Sequence, residues 1–348
     1  MALKNKVNLY TSFNNSNTII DVYNSNDELL YTSNLNLVTD DMKEAISEAD
    51  IVFCTVPSNV VPKIIEEINM NIKENAYLVY TPGTGGKEYI SKANIKKNIT
   101  IVGLQRVHSI ARLKEKGKSV YMLGKKSQIF ISTIPNYKSK EVSKMIEKLF
   151  NIPCTYVNNY LAVTLTPSNP ILHTSRLYSI FHLKEQFDKE VLFYEDWDEE
   201  SARILFKCDE ELMEICKAIN KLDLKEVVSL KEYYESKTEK DFVNKMKSIG
   251  AFKGIKTPMI KIENTYFPDY TSRYFTEDFP YGLIIIKSFA QICNIETPMI
   301  DCIIEWVQTK LKKEYILNGK LTGKDILETG IPMNYGINTV EDIYNFYM

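Results

Sequence analysis

Histidine, patterned cysteine and long apolar runs are what this chain lacks, and each absence closes off a class of function. Only three histidines occur in 348 residues, His108, His173 and His182, so few rings are available for proton transfer near neutral pH. The six cysteines, Cys54, Cys154, Cys208, Cys216, Cys293 and Cys302, form no CxxC pair, and none of their spacings is a metal spacing. They read as reduced, mostly buried thiols, and no metal site is expected. No apolar run reaches the roughly 18 residues of a membrane helix. The opening Met1–Lys6 lacks the apolar core of a signal peptide, so a cytoplasmic protein without membrane contact is expected. Charged residues are 25% of the chain and the net charge is −2, which gives bulk electrostatics no reason to attract nucleic acid.

A chain of this length exceeds one ordinary domain, and its two halves differ in pattern. In the first half, short apolar runs alternate with helical stretches. Val7–Tyr10, Thr18–Tyr23 and Glu28–Tyr31 read as strands, and 40–48 as a polar helix. Ala49–Ser58 is an apolar run closed by a polar turn, the signature of a buried parallel strand. A helix over Val60–Ile72, strands at Tyr77–Tyr80 and Ile99–Gly103, strands Ser119–Leu123 and Gln128–Ser132 joined across Gly124-Lys125-Lys126, and a helix over Lys138–Phe150 follow. This rhythm predicts a doubly wound parallel sheet, with ligands beyond the strand carboxyl ends. The turn Thr55-Val56-Pro57-Ser58 is therefore a candidate cofactor-facing edge, with Thr55, Pro57 and Ser58 as its contacts. Thr81–Gly86 contains GxG, but the third glycine of a phosphate fingerprint would fall on Glu88; it reads as a loop of close backbone approach. Thr11 and Ser12, after the strand ending at Tyr10, offer hydroxyls and no carboxylate for a ribose 2′-hydroxyl, which favours NADP(H) over NAD(H). Arg106 and Arg112 in Leu104–Arg112 are candidate forks for an anion, with interdomain or surface ion pairs as the alternative. The boundary is expected near Asn151–Asn159, giving domains 1–155 and 156–348.

The second half is glycine-poor and periodic, as a helical domain should be. Two stretches in it are chemically dense. Thr166–Tyr178 contains Asn169-Pro170, read as helix cap and first helical residue, with His173 at the end of the first turn. Pro268–Leu283 mixes Arg273, Glu277 and Asp278 with aromatics and turn residues. Phe193–Trp197 and similar aromatic corners read as packing, with Trp197 able to wall a pocket. The Thr-Pro-Met-Ile repeats at Thr257 and Thr297 read as helix starts or turns.

Together, Asn169-Pro170-x-x-His173 and Arg273-x-x-x-x-Asp278 resemble the octopine/nopaline (opine) dehydrogenase family across nearly the whole chain. The resemblance implies a Rossmann-like domain followed by an α-helical substrate and catalytic domain. It implies NAD(P)H-dependent condensation of an amino acid with a 2-oxo acid, by reduction of the imine. His173 would be the acid/base and Asp278 its carboxylate partner, with Glu277 the alternative. Arg273 would clamp a substrate carboxylate, with Asn169 at the edge of the site and Arg106 as a further substrate contact. The family pattern also opens with strand, GxGxxG and helix. No such element precedes Val7, so roughly thirty residues of the pattern are missing and Met1–Lys4 reads as the last turn of that first helix. The resemblance leaves room for a homodimer. Two alternatives stay open: an inactive paralogue or fragment that binds a small carboxylate without redox chemistry, and a relative of ketopantoate reductase or glycerol-phosphate dehydrogenase.

Overall fold

The computed structural model describes residues 5–13 and 17–348, so the expected helical turn at Met1–Lys4 lies outside the described residues. The chain divides into two compact units. The first is Met1–Val56, Val60–Gly83 and Ile90–Val163, and the second is Pro57–Asn59, Thr84–Tyr89 and Thr164–Met348.

The first unit contains strands β1 (Asn8–Tyr10), β2 (Ile19–Tyr23), β3 (Leu29–Asn34) and β4 (Leu37–Thr39), helix α1 (Met42–Ile46), β5 (Ile51–Cys54), helix α2 (Val61–Asn71) and β6 (Tyr77–Tyr80). Helix α3 (Lys87–Asn94) runs from the second unit into the first, before β7 (Thr100–Leu104), β8 (Ser109–Glu115), β9 (Ser119–Lys125) and β10 (Ile129–Ile134). Helix α4 (Ser139–Phe150), β11 (Cys154–Tyr156) and the short α5 (Leu161–Thr164) complete it. The main sheet has the order β11-β10-β7-β6-β5. Strands β5, β6 and β7 are parallel and apolar throughout, as strands covered on both faces must be. Helix α4 lays Val142 and Ile146 on Val79, Val102, Leu104, Ile129 and Ile131, each side chain worth roughly 1.5–3 kcal/mol of burial. It stops at Asn151, whose φ of 52° closes it in the left-handed conformation.

Two expectations need correction. The sheet is not wholly parallel, because β10 runs antiparallel to β7. The strands expected at Ser119–Leu123 and Gln128–Ser132 also lie in different sheets: β9 joins β2 and β8 in a separate four-stranded sheet of order β3-β2-β9-β8. Gly124 and Lys125 continue β9, which folds back on β8 through the turn at 116–118 and takes β2, about a hundred residues earlier, on its other side. Arg112 falls on β8, exposed. The Thr81–Gly86 loop does serve close approach. A Cβ on Gly83 would meet Gly103 Cα at 2.6 Å, and one on Gly103 would meet the Tyr160 ring at 2.5 Å.

The second unit is helical apart from one hairpin. It contains α6 (Ser168–Phe181), α7 (Glu199–Ala218), α8 (Leu230–Tyr233), α9 (Glu239–Ser248), strands β12 (Met259–Ile262) and β13 (Thr265–Pro268), α10 (Arg273–Thr276), α11 (Ile284–Cys293), α12 (Pro298–Leu311) and α13 (Val340–Tyr347). Of the two Thr-Pro-Met-Ile repeats, the first therefore enters a strand and the second a helix, with Pro298 in its first turn. Helices α9 and α13 begin with reciprocal capping boxes, Thr238 with Asp241 and Thr339 with Asp342. Helix α6 is wrapped on most sides, burying Ile171, Leu172, Thr174, Ser175, Arg176, Leu177 and Phe181. It starts at Ser168, after Pro167, so Asn169 is not its cap; no side chain caps this end, and Asn169 is exposed.

Candidate active site

The site is built where α6 meets the chain after α10. Helix α10 ends at Thr276, and a wide helical turn over Phe279–Leu283, broken at Tyr281 (φ −111°, ψ 19°), redirects the chain into α11. Gly282 packs closely there: a Cβ on it would lie 3.3 Å from Pro170, so the turn rests tightly on the first turn of α6. Pro170, one turn below His173, is thus the seat that brings the two dense stretches together.

His173 Nδ1 lies 2.8 Å from Asp278 Oδ2, with the two side chains only 14% and 12% exposed. A carboxylate only accepts, so Nδ1 carries the proton and Nε2 is the nitrogen left to exchange one. Burial pushes the Asp278 carboxyl above its ordinary value, while the His173 ring and the Arg273 charge pull it back. The His173 ring is held edge-on by Phe193 at 5.5 Å and tilted against Tyr274 at 4.8 Å. Nε2 lies 3.2 Å from the hydroxyl of Tyr194.

Tyr194 is fixed from two sides. Its ring stacks on Phe252 at 4.0 Å, and the turn that carries it is pinned by Arg176, which is 2% exposed. Arg176 donates to the carbonyls of Phe193 (3.0 Å) and Asp196 (2.8 Å) and to Ser201 Oγ (2.7 Å). Its guanidinium also lies over the Trp197 ring, and burial pushes its pKa down to about 10. Trp197 is core, 1% exposed, and does not wall an open pocket.

Glu277 and Asp278 divide their tasks. Asp278 takes His173, whereas Glu277 accepts the backbone N–H of Ser58 at 2.7 Å and holds Arg273 at 2.8 Å (Nη2) and 3.2 Å (Nε). The amide and the guanidinium hold the Glu277 carboxyl below its ordinary value despite burial. Arg273 is 72% exposed and presents the rest of its fork outward. Sequence reasoning named His173, Asp278 and Arg273; it missed Tyr194, Tyr274 and the partner of Glu277. A buried tyrosine hydroxyl must find a partner, and that was the one available signal for Tyr194.

The remaining candidates are spread over both units. Thr11, Ser12, Thr55 and Arg106 belong to the first unit, Pro57 and Ser58 to the second. Arg106 Nη1 contacts Gln105 Oε1 at 3.3 Å. Thr11 and Ser12 follow β1, and Thr55, exposed, follows β5 at its carboxyl end. Thr81 Oγ1, at the carboxyl end of β6 in the first unit, is buried and takes no hydrogen bond from the described residues. An unsatisfied polar atom at that end of a parallel strand fits a bound polar cofactor group, and Thr55, past the end of the neighbouring β5, fits the same edge.

This combination of a Rossmann-like sheet, a helical unit and a His–carboxylate pair defines an NAD(P)-dependent dehydrogenase. Residues 156–311 match the NAD/NADP octopine/nopaline dehydrogenase α-helical domain, and residues 2–100 the NAD-dependent glycerol-3-phosphate dehydrogenase N-terminus. An opine dehydrogenase of Haliotis discus hannai is 32% identical over 89% of this chain and 82% of its own. A tauropine dehydrogenase of Arabella iricolor is 30% identical over 88% and 82%. The solved octopine dehydrogenase with NADH and pyruvate superposes with a TM-score of 0.84 at 25% identity, covering 97% of this chain and 91% of that one. The chain belongs to the opine dehydrogenase family. Its reaction is the NAD(P)H-dependent reductive condensation of an amino acid with a 2-oxo acid.

Proposed function

We propose that His173 and Asp278 are the acid–base pair of this condensation. The observation that carries the reading is the 2.8 Å contact between His173 Nδ1 and Asp278 Oδ2, which leaves Nε2 as the working nitrogen. Nε2 takes a proton from the substrate ammonium so that the amine can attack the oxo carbon. The same nitrogen returns a proton when the carbinol oxygen leaves as water. Asp278 keeps the ring in one tautomer and stabilises its protonated form. Arg273 holds a substrate carboxylate with the outward side of its fork. Asn169, exposed on the first turn of α6, bonds substrate at the edge of the site, and Arg106 is a further carboxylate contact.

Thr11, Ser12, Thr55, Pro57 and Ser58 are the proposed cofactor contacts. Bound NAD(P)H supplies the hydride that reduces the imine. NADP(H) is the proposed form, because Thr11 and Ser12 bring hydroxyls and no carboxylate to the end of β1. NAD(H) is the second reading, and one observation favours it: Asp40, just past the neighbouring β4, acts electrostatically on Tyr10. A negative charge there repels a 2′-phosphate. A cytoplasmic homodimer completes the proposal. Six free thiols support a reducing compartment, and no described helix is long and apolar enough to cross a membrane.

Titration of the chain with NADPH and then NADH, followed by turnover with amino acids and 2-oxo acids, tests this reading. Saturable binding with oxidation only when both substrates are present is the expected result. Oxidation with an oxo acid alone would contradict it and favour a simple 2-oxo acid reductase.

A further inference from the structure

We infer that Glu277 is a positioning residue that sets the substrate-carboxylate clamp and the cofactor-side turn together, which rests on the proposed roles of Arg273 and Ser58. Its two carboxylate oxygens have separate partners. Oε1 accepts the Ser58 amide at 2.7 Å, and Oε2 accepts both Nε and Nη2 of Arg273 at 3.2 and 2.8 Å. Ser58 opens the helical run that leads into α2, 219 residues earlier in sequence than Glu277. An ordinary i,i+4 surface pair would not need this arrangement. Glu277 is 15% exposed while Arg273 is 72% exposed, so the carboxylate is a fixed point and the guanidinium is the part it aims.

The surroundings fit that role. Gly85, with φ of +96°, has no room for a side chain, because a Cβ would meet Ser58 Oγ at 2.2 Å. The glycine thus leaves the space that the Ser58 side chain fills beside Glu277. Lys87, 3% exposed at the start of α3, adds a positive field that favours the ionised carboxylate. A guanidinium gripped along its Nε–Nη2 edge presents Nη1 in a fixed direction, which a free arginine would have to find on every binding event. The consequence is a residue that acts through Arg273 and decides how tightly the substrate carboxylate is held.

The test is a double-mutant cycle on the full chain, using pyruvate as the oxo acid, with KM for pyruvate, KM for the amino acid, kcat and the NAD(P)H dissociation constant as readouts. Glu277→Gln keeps the size but loses the charge, and Glu277→Asp keeps the charge but cannot span both partners. Both should raise about tenfold the KM of whichever substrate Arg273→Gln weakens, pyruvate or the amino acid, and weaken NAD(P)H binding. Adding Glu277→Gln to Arg273→Gln should raise that KM no further than Arg273→Gln alone. That KM within twofold of wild type in both Glu277 variants, or effects that multiply, would overturn the inference. If Arg273→Gln itself leaves both KM values unchanged, the clamp role of Arg273 fails instead.

Discussion

Glu277 and Asp278 are neighbours in sequence, yet their carboxylates serve different partners: Asp278 meets His173 Nδ1 at 2.8 Å, while Glu277 meets the Ser58 amide at 2.7 Å. Both residues are in the right-handed helical conformation, so their consecutive side chains point about 100° apart. They should not substitute for each other. Asp278→Asn keeps the shape but replaces an acceptor with an amide that can hold the ring in the wrong tautomer. The expected loss is about 10²–10⁴-fold in kcat with the melting temperature little changed. Steady-state kinetics beside a thermal melt checks this, and a loss under tenfold would argue against the pairing.

Stability should fall as pH rises through the range set by Glu88. This carboxyl is fully buried, accepts from the Thr164 and Tyr347 hydroxyls, and is pushed up to about 7 from 4.5 by burial. Above its unfolded pKa the unfolded chain releases the proton while the folded chain retains it. Folding therefore loses stability between about pH 4.5 and pH 7 and levels off above, by at most about 3 kcal/mol. In Glu88→Gln this contribution disappears. Urea unfolding at pH 5 and pH 8 should show wild type minus variant falling with pH; a difference independent of pH would refute the assignment.

Arg176 sits three residues after His173 but has a structural task. Replacing it with Ala would take the donor from the buried Phe193 carbonyl and from the partly buried Asp196 carbonyl. We expect a loss of about 3–5 kcal/mol in stability, with Arg176→Lys only partly restoring it because an ammonium cannot fork to three partners. Chemical denaturation reads this directly. Unchanged stability in Arg176→Ala would mean that the 193–197 turn is held by its aromatics alone.

Gly86 should tolerate no side chain. Its φ is +69°, and a Cβ would come within 2.1 Å of the Gly330 carbonyl oxygen. Gly86→Ala is expected to destabilise by more than about 2 kcal/mol. Gly250→Ala, where nothing lies within 4 Å, should be close to neutral. Similar melting temperatures for the two variants would contradict the packing argument.

The sequence made strong apolar periodicity legible and little else. Strand Tyr77–Tyr80 and helices α2 and α4 fall within a residue or so of expectation, because buried runs and amphipathic stripes are local signals. Strands β4 and β11, three residues each, carry too little pattern to be seen, and the pairing of β9 with β2 depends on residues about a hundred positions away. In the site, His173 and Asp278 were readable only through the family resemblance, since nothing local distinguishes Asp278 from Glu277. Which of the two acids faces α6 is set by how the Phe279–Leu283 turn packs on Pro170, a tertiary contact. Tyr194 stayed hidden for a related reason: within Phe193–Trp197 a tyrosine that packs and a tyrosine that bonds His173 look alike.

Turnover against folding in His173→Gln tests the central claim most directly. The account predicts a loss of at least about 10³-fold in kcat, with NAD(P)H binding retained and a melting temperature within a few degrees of wild type. Activity within tenfold of wild type, or stability lost in step with activity, would make His173 a packed core residue and contradict the acid–base role.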